Sequence, residues 1–150
     1  MASDLAILLQ DTIDRELPSL LAITEEVSNT NDGRPGAWTK KQELGHLLDS
    51  AANNHIRFVL ASLDGEFQGK GYAQDNWVAL HAHGELDWKF LVDFWHRFNT
   101  FLAHLIERIP DGHMANECVI GTNAMTLRFV IEDYVRHMRH HLDHILGRKA

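Results

Sequence analysis

The stretch Tyr134-Val-Arg-His137-Met-Arg-His140-His141-Leu-Asp-His144-Ile145 carries four histidines within eight residues. On an α-helix of 3.6 residues per turn, His137, His141 and His144 share one face. Imidazoles at i and i+4 can both ligate one divalent ion, as the helical pairs of zinc proteases do. The protease motif itself is absent, because Met138 stands directly after His137 where its glutamate would be. A pair of this kind also arises by chance in a chain with eleven histidines, so a third ligand decides its meaning.

The segment after Thr39 offers one. With His46 at zero on a helical wheel, Asp49, Asn53 and Arg57 fall within about 60° of it. Leu44, Leu47, Leu48, Ala51, Phe58 and Val59 occupy the opposite, apolar side. Such a polar stripe is either the lining of a site or a solvated face, and periodicity weights the two equally. His55 lies about 180° from His46 and reads as a packing or interface residue. His81 and His83, two positions apart on a helix, are expected to diverge. Cys118 has no flanking catalytic partner and is not expected to be a nucleophile.

These residues need elements to hold them. Leu5, Leu9, Ile13, Leu17 and Leu20 lie on an apolar stripe that predicts a first helix over 3–27, kinked or split by Pro18. Thr39 and Gln42 form a capping box that opens a second helix running to about Leu63. A glycine-containing loop follows over 66–74, then a short helix from Asp75 to about His83. A third long helix runs from Asp87 to Ile109, and 111–124 reads as irregular or as a brief extended pair. The last helix spans 125–146 and ends at Gly147. Its apolar side is Ile131, Tyr134, Val135, Met138, Leu142 and Ile145. Glu132, Arg136, Arg139 and Asp143 face solvent, with His137 and His141 on the boundary. Four amphipathic helices without convincing strands predict an all-α, up-and-down four-helix bundle, a fold that builds metal sites from facing helices.

Composition sets bounds on function. The formal charge of −7 argues against a nucleic-acid partner, and Arg136, Arg139, Arg148 and Lys149 sit where cations suit a helix C-terminus. The apolar runs are too short and too charged for a membrane span, and the N-terminus lacks the basic region of a signal peptide. One cysteine and no disulfide point to a reducing, cytoplasmic compartment.

The combination Ala37-Trp38-Thr39, Gly45-His46-Leu-Leu-Asp49-Ser50, Ile56-Arg57-Phe58, Tyr72-Ala, Trp77 and the histidine run from Tyr134 resembles the DinB superfamily. It is most similar to the YfiT-like branch of metal-dependent hydrolases, and the match runs from about Trp38 to the C-terminus. The resemblance implies a single four-helix-bundle domain over 1–150, a homodimer, and a divalent metal held by three histidines. Position for position these are His46, His137 and His141. It also implies that the segment around Trp77 covers the bundle mouth, whereas Trp38, Trp88 and Trp95 are expected to pack. Three nitrogen ligands suit zinc or nickel and leave a position open for water or substrate. Asp49, Asn53, Arg57 and His144 are the supporting residues expected around the ion, and His140 is expected at the surface.

Three functions fit this set. The first is metal-dependent hydrolysis of a small substrate, in which the ion polarises a carbonyl or phosphoryl oxygen. The second is thiol S-transfer, in which it lowers the pKa of a low-molecular-weight thiol such as bacillithiol, mycothiol or glutathione. The third is a structural site, against which the count of three ligands speaks, since structural sites usually have four.

Overall fold

The computed structural model describes residues 1–148; Lys149 of the basic C-terminal group lies outside them. Four long helices, α1 (Ala2–Leu21), α3 (Lys40–Asp64), α5 (Trp88–Arg108) and α6 (Leu127–Ile145), surround one core. Two short helices, α2 (Glu25–Ser28) and α4 (Gln74–His81), lie in the connections. Leu9 and Ile13 of α1, Leu44 and Phe58 of α3, Trp95 and Leu102 of α5, and Ile131 of α6 are fully buried together.

Local chemistry explains most of the boundaries. Thr39 Oγ1 accepts from Gln42 N at 3.2 Å while Gln42 Oε1 accepts from Thr39 N at 2.9 Å, which satisfies two end amides of α3. Gly65, at φ 82°, ends α3 in the left-handed conformation that glycine adopts freely. Thr126 caps α6 through Phe129 N. Pro18 does not split α1 as predicted. It sits in the last turn, the helix runs on to Leu21, and the break falls where Thr24 caps α2.

The predicted loops contain a small sheet. Strand β1 (Glu66–Gly69) pairs in parallel with β2 (Glu117–Ile120), and β2 pairs antiparallel with β3 (Asn123–Thr126). Segments of four residues are too short to show periodicity over the polar turn chemistry around them, and long-range pairing decides their state. Gly121, at φ 64°, makes the tight β2–β3 turn. Cys118 therefore lies on β2 rather than in a loop, fully buried, with its thiol pushed up in pKa by burial.

The order of helices around the bundle is not sequential. α1 packs on α5 and more lightly on α6, while α3 packs on both α5 and α6. The first two long helices thus stand diagonally, as do the last two. The connections over 22–39 and 109–126 are long enough to cross the bundle ends. Among the described residues no helix is long and apolar enough to cross a membrane.

Candidate metal centre

Adjacent packing of α3 and α6 brings His46 against His137 and His141. The Nε2 atoms of His46 and His137 are 3.3 Å apart, and one nitrogen from each of the three histidines lies within 4.8 Å of the other two. Two nitrogens each about 2.0–2.1 Å from a tetrahedral ion stand roughly 3.3–3.4 Å apart, so the spacing fits shared ligation. Burial, reinforced by the neighbouring imidazoles, holds both His46 and His137 down at a pKa of about 4. Both rings are therefore neutral near pH 7 and keep a lone pair for a cation. His46 is fully buried, its Nδ1 has no partner among the described residues, and the Trp38 ring lies 5.0 Å from it.

The residue that organises the third ligand is Glu43, which the wheel analysis passed over. It lies on α3 three residues before His46, hence on the same face. Its carboxylate receives His141 Nδ1 at 2.8 Å and His144 Nδ1 at 2.6 Å. Burial pushes Glu43 upward, but the two histidine hydrogen bonds outweigh it and keep the carboxyl below its ordinary range. Holding Nδ1 leaves His141 Nε2 as its free nitrogen, the arrangement in which a carboxylate orients a ligating imidazole. His144 also meets Asp32 through Nε2 at 3.0 Å, and the hydrogen bonds to Glu43 and Asp32 raise its pKa. It supports the centre through Glu43 rather than by facing the ligands. His140 is exposed, as expected.

The polar stripe on α3 is not a solvated face. His46 is 0% exposed, Asp49 3% and Arg57 9%; only Asn53 is half-exposed, its amide donating to the Asp49 carbonyl oxygen at 2.9 Å. His81 and His83 do not diverge, because α4 ends at His81 and Ala82 takes a left-handed φ of 48°. That reversal brings both rings to Asp49 Oδ1, at 2.8 Å from His81 Nδ1 and 3.6 Å from His83 Nε2. Gly45 makes room: a Cβ there would lie 2.2 Å from the His83 ring. The second Asp49 oxygen is buried without a partner among the described residues. No signal within α4 marks this turn, since an alanine with positive φ is uncommon.

Two cavities flank the histidines. One, of about 320 Å³, is lined by Ser50, Arg57, Tyr72, Gln74 and His137, with β2 and β3 contributing Ile120 and Met125 to its wall. The other, of about 380 Å³, is lined by Trp38, Glu43, His140, His141 and His144. Trp77 packs edge-on against Tyr72 and His81 beside the first, while Trp88 and Trp95 are buried in the core. His55 sits on the outer side of α3, edge-on to Phe98 and Phe101 of α5.

A helical bundle with convergent neutral imidazoles is a metal-binding four-helix bundle by class. No family model matches the chain. It is 29% identical over 119 residues to the "putative metal-dependent hydrolase" of Oceanobacillus iheyensis, covering 75% of this chain and 65% of that protein. A protein of the same description from Bacillus cereus is 30% identical over 114 residues, with the same coverage. The chain thus spans about 65% of the length of these two curated relatives. YfiT of Bacillus subtilis, described as a probable metal-dependent hydrolase with an unusual four-helix bundle topology, superposes with a TM-score of 0.85. That match has 22% identity and covers 97% of this chain and 84% of that one. The chain is thus similar in sequence to proteins described as metal-dependent hydrolases, and it shares the four-helix-bundle fold of YfiT.

Proposed function

We propose that the chain is a metal-dependent hydrolase acting on a small substrate, with His46, His137 and His141 as the ligands. The observation that carries this reading is the convergence of neutral imidazoles from α3 and α6 at the edge of a cavity of substrate size. Bound there, a divalent ion supplies Lewis acidity at a coordination position that three protein ligands leave open. An all-nitrogen donor set fits zinc or nickel. The protein's own part is to orient the ligands. Glu43 fixes His141 in one tautomer.

A second reading is thiol S-transfer, favoured by the two separate cavities that flank the histidines, one for each reactant. The exposed Phe90, Phe94 and Phe101 of α5, beside Ile56 and Leu60 of α3, support a homodimer. The single buried thiol suits a cytoplasmic setting.

The test is elemental analysis of untagged protein and of His137→Ala, followed by turnover of ester and amide substrates with and without added thiols. The variant is expected to lose the ion while keeping its helical signal. Unchanged metal content in His137→Ala would overturn the ligand assignment. Turnover confined to thiol-supplemented assays would replace hydrolysis by thiol transfer.

A further inference from the structure

Arg57 is a buried cation without an anion. It is 9% exposed, and its side-chain contacts among the described residues are Asn54 Oδ1 at 3.5 Å and the Tyr72 ring, whose centroid is 6.0 Å from the guanidinium carbon. Among the described residues no carboxylate pairs with it, although other buried charges are paired: Lys41 with Glu25, and Glu16 with Arg148. Leaving a guanidinium buried and unpaired opposes folding. Burial accordingly lowers its pKa, yet an arginine stays charged in proteins. A cost of that kind, kept at the wall of a cavity, is what a binding site requires.

The rest of the cavity agrees with this. Ser50, Tyr72 and Gln74 add neutral hydrogen-bonding groups beside Arg57, and His137 lines the same space. The one acidic lining residue, Asp133, is engaged by Arg136. Along α3, His46 and Arg57 are about 16 Å apart in axial rise, and helical side chains lean toward the N-terminus, which inclines Arg57 toward the histidines.

We propose that this cavity is an oxyanion subsite in which Arg57 binds a carboxylate or phosphate group of the substrate, held several ångströms from the bond that reacts. The proposal rests on the hydrolase reading only for the word substrate; the anion site itself is independent of the metal. It assigns the substrate class: a small molecule carrying its negative group away from the reacting carbonyl or phosphoryl centre. The guanidinium fork suits the planar, two-oxygen face of such a group, and the neutral donors complete its shell.

The experiment titrates metal-loaded protein with propionate, methylphosphonate and neutral propionamide, following the Arg57 side-chain resonances by NMR. Both anions are expected to bind at least about tenfold more tightly than the amide. Whichever anion binds better identifies the group. Arg57→Met should abolish the preference with metal content unchanged, and Arg57→Lys should restore part of it. Arg57→Met should also melt at the same or a higher temperature, because it removes an unpaired buried charge. In His137→Ala the anion preference should persist whatever becomes of the metal, so the two readings fail separately. Equal binding of anions and amide, a preference that survives Arg57→Met, or a marked fall in the melting temperature of that variant would each overturn the subsite.

Discussion

Glu43→Gln should weaken metal binding without removing any ligand. In the native arrangement one buried carboxylate accepts from both His141 Nδ1 and His144 Nδ1, at 2.8 and 2.6 Å. A glutamine keeps the volume but has one acceptor oxygen, and its amide nitrogen is a donor. One of the two imidazoles must then face a donor, turn, or change tautomer. Losing a carboxylate that orients a ligating histidine lowers metal affinity by about 10- to 100-fold, or about 1.4–2.7 kcal/mol. Competition against a fluorescent chelator measures this directly. The same variant takes the carboxylate charge away from His144, so its pKa should fall toward the ordinary value, leaving Asp32 as its carboxylate partner. A change in affinity of less than about threefold, with the His144 titration shifted as expected, would refute the claim that Glu43 acts through His141.

Two further outcomes follow from the same geometry. His46 and His137 have folded pKa values of about 4, below the unfolded value of about 6.5, so the unfolded chain binds more protons between those limits. Stability of the metal-free protein should therefore be full above pH 6.5 and fall as pH drops toward 4, by on the order of 3 kcal/mol, mostly from the fully buried His46. Urea titrations across that window check it, and a flat profile would mean the rings are not buried neutral. Separately, Phe94→Glu should convert a dimer to monomer in sedimentation without changing metal content, since Phe94 is exposed on α5 and stacks on Phe98. An unshifted sedimentation coefficient would count against the proposed homodimer through this face.

What was legible in the sequence was what depends on neighbours along the chain. The capping box at Thr39 and Gln42, the helix stops at Gly65 and Gly147, and the shared face of His137 and His141 are all spacings within one element. The polar stripe on the wheel offered His46 as their partner and the family resemblance named the same residue, but a wheel gives an angle and not a neighbour. Its burial, with that of Asp49 and Arg57, needed α6, α4 and the small sheet to cover the stripe. Glu43 was overlooked for a related reason. An acid in the first turn of a helix is already accounted for by the helix dipole, so nothing local asks for another role. The His81–Asp49–His83 cluster depends on a backbone reversal at Ala82, a residue type that gives no warning of one.

The non-sequential helix order is what makes the centre possible in this form. In a bundle whose four long helices followed one another around the ring, α3 and α6 would stand diagonally, and their histidines could meet only across the core, in place of Leu44, Ile131 and their neighbours. Here the crossing connections put α3 and α6 side by side. The imidazoles meet at the seam between two adjacent helices, where His46 is fully buried and His137 and His141 are only partly so. A seam has two open sides, and each carries a cavity, one bounded by Arg57 and the β-sheet and one by Trp38 and the Glu43 network. The core remains apolar beneath them, with Tyr134 bonded to Asn99 as the polar link between α6 and α5. The seam thus carries the polar groups that bind, while the residues beneath it supply the apolar core.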